Sequence, residues 1–375
     1  MSDDRLLELE RELRRQARAA ARDRSRRRRR LLRCGAGALS VAVIAALIAG
    51  GALFAIGRTG KGATAGAAGT SHAEHDARER DRARSPVAVA ARSPAGLPLG
   101  RPPLALDLSG GEDPVQVSFH RPPRAGLLFD LSSGRVLWGL DPLTRLHIAS
   151  LTKMMTALRV VRSSSAHELV PITRQAVDTA GSKVGVLPVG RRVPLLTLLY
   201  GLMLPSGNDA AMALAQHSAG SVGSFVRGMN EEAARLGLGC THYSSPSGYF
   251  NIHNYSCAAD LAELAHVDLE QPLIARVAGS AQAAMPLPIK GGKVYLYNNN
   301  PLLVYGYPGA SGLKTGYTES AGDCLVGTAE RDGVRLGVVL LHSPELGRQA
   351  ELLLNRGFEA YGQRPLPAPP VPPGR

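Results

Sequence analysis

The chain has 375 residues and a formal charge of +13, a length that holds one catalytic domain with non-globular ends. The charge suggests a nucleic-acid binder until its distribution is read. Residues 1–34 carry 13 Arg against 6 acidic residues, a net of +7 and about half of the excess, with no aromatic partners of the kind a nucleic-acid arm uses.

In chain order, Leu6 to Arg30 has a charged helical pattern that fits a cytoplasmic or membrane-surface helix. Residues 35–57 follow, 23 positions without a charge. As a helix they would extend roughly 34 Å, enough to cross a bilayer. Arginine before the span and little charge after it orient the N-terminus to the cytoplasm. The expectation is therefore a basic cytoplasmic tail (1–34) and one transmembrane signal-anchor (35–57), with the catalytic part outside a cell membrane. The alternative is a cleaved signal peptide. Its n-region would be long, and the nearest small-x-small site, Ala63-Thr-Ala65, lies beyond Arg58 and Lys61. Cys34 precedes the apolar run and is no lipobox cysteine.

Residues 58–115 are rich in Ala, Gly, Arg, Pro and Ser without apolar periodicity and read as a flexible linker of roughly 45 Å. His72, His75 and Asp76 fall in it at a spacing that is not H-E-x-x-H, and read as solvated linker. The folded part is expected from near Val115. Strands are predicted at 125–131 and 135–140, joined by Ser132-Ser-Gly134. Helices follow at 150–163, 195–204, 208–219, 222–236 and 256–267. Strands come next near 293–298, 322–330 and 334–341, the last two joined by Arg331-Asp-Gly333. A helix at 345–361 precedes a Pro-rich tail (365–375) that reads as disordered. Strands early and late with helices between them argue α+β, with an antiparallel sheet built from both ends of residues 116–345. Residues 346–375 form a terminal helix and tail. Cys240 and Cys257 flank a 16-residue loop; outside the membrane they are candidates for a disulfide, although sequence does not show their geometry. Cys324, in an apolar strand, reads as a buried free thiol.

Three motifs carry the chemistry: Ser150-Leu-Thr-Lys153, Ser206-Gly-Asn208 and Lys314-Thr-Gly316. Each is weak alone. Ser150 and Lys153 lie one helical turn apart beside an apolar stripe of Leu151, Met154, Met155 and Leu158, so their side chains can meet. A second S-x-x-K, Ser311 to Lys314, is placed in a loop feeding a strand. Serine needs a base to become nucleophilic. Lys153 serves as one only if burial and a nearby cation, here Lys314, lower its pKa. Ser206 can relay a proton to a leaving amine, and Asn208 can steady Lys153 and donate to a substrate amide. Plainer readings exist: Ser150 as a helix cap, Ser206 and Asn208 as loop residues. His147 and His217 read as structural or exposed. No metal-ligand spacing and no complete G-x-S-x-G appear, which disfavours a zinc carboxypeptidase or a classical triad hydrolase.

At these motifs the chain resembles the low-molecular-mass penicillin-binding proteins, whose signature is S-x-x-K, S-D-N and K-T-G, the middle motif reading S-G-N here, and more narrowly the serine D-alanyl-D-alanine carboxypeptidases of peptidase family S11. The resemblance extends through Ile148 to Ala157, Pro205 to Ala211, Asn230 to His242, Gly312 to Thr318 and Ala321-Gly322. Departures are Ser311 where Asp is common, Tyr317, and the loop Ser245-Pro-Ser-Gly-Tyr-Phe. The resemblance implies a β-lactamase/transpeptidase-like fold, an antiparallel sheet with a helical cluster and the site between them. It implies an acyl-enzyme on Ser150, binding of a C-terminal D-Ala carboxylate by Lys314 and Thr315, room for the substrate along Gly316, and an oxyanion hole from the backbone N–H groups of Ser150 and Tyr317. The implied partners are peptidoglycan stem peptides and β-lactams, with no cofactor, no metal and no nucleic acid. Alternatives with the same apparatus are a DD-endopeptidase and a β-lactamase, although no E-x-x-L-N segment lies between the second and third motifs; a wall-binding protein with a dead site is the non-enzymatic alternative.

Overall fold

The computed structural model describes residues 91–109, 113–249 and 253–365. Strand β1 (Ala125–Asp130) reads Ala-Gly-Leu-Leu-Phe-Asp and is buried along its whole length, as a strand covered on both faces must be. It sits second in a five-stranded sheet with β2 (Val136–Leu140), β3 (Ala310–Thr318), β4 (Gly322–Arg331) and β5 (Val334–Leu341). The order is β2-β1-β5-β4-β3, with every neighbour antiparallel. Both ends of the domain thus build one sheet. Asp332 and Gly333 turn β4 into β5 with φ of +47° and +79°, the left-handed pair that matches strand twist in a two-residue hairpin.

Side-chain alternation splits the sheet between two apolar clusters. Leu127 and Phe129 join Val326, Val339 and Leu341 against a helical layer. This layer comprises α1 (Lys153–Ser163), α2 (Leu195–Met203), α3 (Asn208–Ala219), α4 (Val222–Arg235) and α5 (Ala258–Leu269). Leu128, Leu336, Val338 and Leu340 face the other way, onto Leu353, Leu354 and Phe358 of α6 (Leu346–Ala360). Gly357 lets α6 lie close: a Cβ there would come within 2.7 Å of Leu336.

Several expectations are corrected. Ser150 does not open an α-helix. Ala149–Thr152 is a single 3-10 turn, and α1 begins at Lys153. Ser311 is not in a loop but within β3. Lys293–Tyr297 lies outside the main sheet, paired with Gln282–Pro286 in a separate hairpin. Two short pairs escaped the sequence reading, Leu146–His147 with Tyr255–Ser256 and Leu169–Pro171 with Arg192–Pro194. Two or three residues are too few to show a period.

The linker boundary also moves. Residues 91–109 were expected to be flexible, yet they strap onto the domain. Gly100 N donates to Ala234 O (2.8 Å). The Glu263 carboxylate accepts from Leu104 N (2.7 Å) and Leu106 N (3.1 Å), and Leu104 is buried. Such a strap is held at points rather than along an apolar stripe, so composition hides it. The tail 1–34, the span 35–57, the linker through residue 90, with His72 and His75, and the tail from residue 366 lie outside the described residues. Among the described residues no helix is long and apolar enough to cross a membrane.

Cys240 and Cys257 form a disulfide, and Cys324 is a buried free thiol whose pKa burial pushes up to about 12. Of the two histidines read as structural or exposed, His217 meets Glu168 at 2.6 Å and His147 sits half-buried in its short strand.

Candidate active site

The first motif spans the junction between the 3-10 turn and α1. Ala149 enters the turn at φ +46°, a left-handed conformation that a non-glycine residue adopts at a cost and that marks functional turns. The turn presents Ser150 half-buried, while Lys153, the first residue of α1, is fully buried. Lys153 Nζ lies 2.9 Å from Ser150 Oγ. It donates to Asn208 Oδ1 at 2.7 Å and to the Ser247 carbonyl at 3.0 Å.

A neutral amine has two N–H groups and one lone pair. Two carbonyl-type acceptors occupy the N–H groups, which leaves the lone pair for the serine hydroxyl. The electrostatics favour that state. Burial first, then the positive charge of Lys314, push the Lys153 pKa well below the ordinary lysine value, and Asp209 opposes them.

Asn208 opens α3 with its orientation fixed. Its backbone N donates to Ser182 O (2.7 Å) and its Nδ2 to Ala180 O (2.6 Å). This aims Oδ1 at the lysine and leaves one amide hydrogen for a ligand. Ser206 sits just before, at φ +62°, with its buried Oγ lacking any hydrogen-bond partner among the described residues. The structure therefore does not join Ser206 to Lys153, as a preformed relay would require. It leaves a desolvated hydroxyl whose cost is recovered when a ligand supplies the partner.

The third motif approaches along β3. Lys314 is buried and donates to Thr315 O (2.8 Å); burial lowers its pKa to about 7. A Cβ at Gly316 would lie 2.9 Å from both Ser150 N and Ile148 O. The strand passes the nucleophile's turn too closely for any side chain at that position. Thr315 is half-buried and the Tyr317 side chain is exposed.

Two contributors were missed in the sequence. One is the loop from Ser244 to Tyr249. Besides the Ser247 carbonyl on Lys153, its Pro246 carbonyl accepts from Thr156 Oγ1 (2.7 Å). Gly248, at φ +76°, packs so tightly on the Ala149 carbonyl that no side chain fits. The Ser-Pro-Ser-Gly run signals a turn, but a backbone acceptor leaves no mark on residue identity. The other is Asp209, whose carboxylate accepts from Val184 N (2.9 Å) and Gly185 N (3.0 Å) and so holds the segment that orients Asn208. Its place beside the S-x-N motif was the available signal. Cys240, Cys257 and Asp260 also converge, but the sulfurs are consumed in the disulfide and offer no thiolate to a metal.

Comparison with known proteins agrees with this geometry. The family model described as D-alanyl-D-alanine carboxypeptidase, peptidase S11, matches residues 121–345. The D-alanyl-D-alanine carboxypeptidase DacF of Bacillus subtilis is 32% identical over 251 residues, 65% of this chain and 64% of that protein. The chain thus spans somewhat under two thirds of that relative's length. Among solved structures, a mutant of the Streptomyces K15 DD-transpeptidase superposes with a TM-score of 0.61 at 32% identity, covering 64% of this chain and 100% of that one. The D-alanyl-D-alanine carboxypeptidase of Mycobacterium tuberculosis gives 0.61 at 32%, covering 67% and 95%. The fold is the transpeptidase-like α+β architecture, and with well over half of its length matched the chain belongs to peptidase family S11, the D-alanyl-D-alanine carboxypeptidases.

Proposed function

We propose that the chain is a serine D-alanyl-D-alanine carboxypeptidase that removes the terminal D-Ala of peptidoglycan stem pentapeptides. The observation that carries this reading is the buried Lys153 amine, held by Asn208 Oδ1 and Ser247 O and 2.9 Å from Ser150 Oγ. Ser150 Oγ attacks the carbonyl of the D-Ala–D-Ala bond as its proton passes to Lys153 Nζ. The backbone N–H groups of Ser150 and Tyr317 receive the oxyanion, where one donor is typically worth about 100- to 1000-fold in turnover. Lys314 and Thr315 take the terminal carboxylate, which restores the charge that burial draws from Lys314. Ser206, whose Oγ has no partner among the described residues, passes its proton to the leaving amine and takes up the one that Lys153 received, a transfer that requires the bound substrate to bring the two together. D-Ala departs and water hydrolyses the ester on Ser150. β-Lactams, which mimic the dipeptide, acylate the same oxygen.

The test is a synthetic pentapeptide ending in D-Ala–D-Ala. The purified chain should release D-Ala and be labelled by a fluorescent penicillin, and Ser150→Ala should do neither. A wild-type chain that released no D-Ala would count against the reading.

We also propose residues 35–57 as a single-pass anchor, with residues 1–34 cytoplasmic and the catalytic domain outside. Support comes from the uncharged run behind a block of arginines. The chain should fractionate with membranes, and protease added to intact spheroplasts should reach the catalytic domain. Recovery in the soluble fraction at full length would contradict the anchor.

A further inference from the structure

The loop that positions the base is closed at its foot by a covalent bond. Cys240 and Cys257 bracket residues 241–256. Next to the bond, His242 and Tyr255 exchange backbone hydrogen bonds (3.0 and 3.1 Å), so the two arms leave the disulfide already paired. Higher up, the Asn254 side chain accepts from Ser244 N (3.0 Å) and donates to Ser245 Oγ (2.7 Å). Ser245 Oγ in turn accepts from Gly248 N (3.0 Å). Ser247 lies inside this ladder, and its carbonyl takes one of the two N–H groups of Lys153.

The foot is held by hydrogen bonds as well. The Asp260 carboxylate accepts from Cys240 N (2.7 Å) and Thr241 Oγ1 (2.6 Å), and both sulfurs are buried beneath Leu106 of the strap. Glu263, one turn further along α5, fixes that strap through Leu104 N and Leu106 N. A continuous set of contacts thus leads from the disulfide to the amine, and residues 241–256 contain no further cysteine that could tie the loop down.

We propose that the Cys240–Cys257 disulfide is a positioning element of the catalytic apparatus, so that Lys153 reaches its full competence as a base only once the two thiols have been oxidised. The inference rests on the function proposed above. The redox step is a thiol–disulfide exchange with an external disulfide, R–S–S–R. The two cysteines lose two protons and two electrons in forming their bond, and the external disulfide becomes two R–SH. Chemistry at Ser150 would then be tied to arrival in an oxidising compartment. With the foot open, the Ser247 carbonyl loses its fixed place and water reaches the lysine. The amine is then less desolvated and takes up a proton at higher pH.

The experiment follows acylation of the full chain by a fluorescent penicillin across pH. Three forms are compared: the oxidised protein, the protein after a phosphine reductant, and the Cys240→Ala/Cys257→Ala variant. Circular dichroism checks folding, and a thiol assay shows whether reduction has released two further thiols. In the reduced protein and the variant, the acidic limb of the rate profile should move up by about a pH unit. At a fixed pH on that limb the rate should then fall about tenfold, since the neutral fraction there changes tenfold per unit, and reoxidation with oxidised glutathione should restore the reduced protein. A folded, reduced protein with an unmoved profile overturns the proposal, even if it melts earlier, because a purely stabilising cross-link would behave that way. If the variant fails to fold, the reduced wild type alone decides. An oxidised wild type that is not acylated at any pH would contradict the function itself, a result distinct from either.

Discussion

Two buried polar groups in this molecule resolve the same cost in opposite ways. Asp130, at the end of β1, is nearly inaccessible. Burial pushes its pKa up, but hydrogen bonds from Tyr361 and from the backbone of Ser132 and Ser133 outweigh it and hold the carboxyl below its ordinary value. Its charge is retained because every contact favours the ion. Lys153 is buried more completely, but its contacts are those a neutral amine can satisfy, and a second lysine disfavours its ion. One environment is built to keep a charge and fix a turn, the other to remove a charge and leave a lone pair facing an alcohol. Burial alone therefore does not mark a site; the sign of what surrounds the buried group does.

Substitutions at the two places should separate along that line. The largest effect is expected from Lys153→Met, which removes the base while filling its space. Acylation by penicillin should fall about 10³-fold or more, with a melting temperature unchanged or raised because a desolvated amine has gone. A marked loss of stability would show that Lys153 holds the fold as Asp130 does. Ser206→Ala should come next, with turnover down about 100-fold through loss of proton transfer to the leaving group. Because Ser206 Oγ has no partner among the described residues, its removal should leave stability intact, as chemical denaturation can check.

A smaller, pH-dependent effect is expected at Lys314. Its pKa of about 7 means that the free protein carries the cation below that pH and loses it above. KM for a substrate with a free carboxylate should therefore rise above about pH 7, approaching tenfold per unit, while an amidated substrate should show no such rise. A flat KM would mean that Lys314 keeps its charge. The smallest effect belongs to the structural partner. Tyr361→Phe deletes one hydrogen bond to Asp130 and should cost about 1 kcal/mol of stability, read from denaturant midpoints, with acylation unchanged.

What the sequence disclosed follows the same physics. The meeting of Ser150, Lys153, Asn208 and the K-T-G strand was legible because the proposed chemistry demands particular side chains at particular spacings. The helices with an apolar stripe and the long strands were legible through their periods, with ends displaced by up to three residues. The Ser247 acceptor was not, since a carbonyl belongs to every residue. Nor was the 3-10 turn, because Ser150 to Leu158 carries the same pattern whether the helix starts before or after the serine. The strap at 91–109 was misread because its Pro and Gly content resembles linker while two carboxylate oxygens of Glu263, some 160 residues away, hold it in place. The disulfide was visible only as a pair of candidates, because spacing along the chain does not fix distance in space.

The bare backbone at Gly316 has a consequence for how such a protein can escape an inhibitor. Adding bulk at a drug-contacting position is a cheap route to resistance, since it crowds out the drug and asks only that the natural substrate still fit. At 316 the first added carbon would meet the amide of Ser150 and the carbonyl of Ile148 before it reached any ligand. Position 316 is therefore closed to added bulk whatever the ligand, whereas the exposed ring of Tyr317 next to it is not so confined.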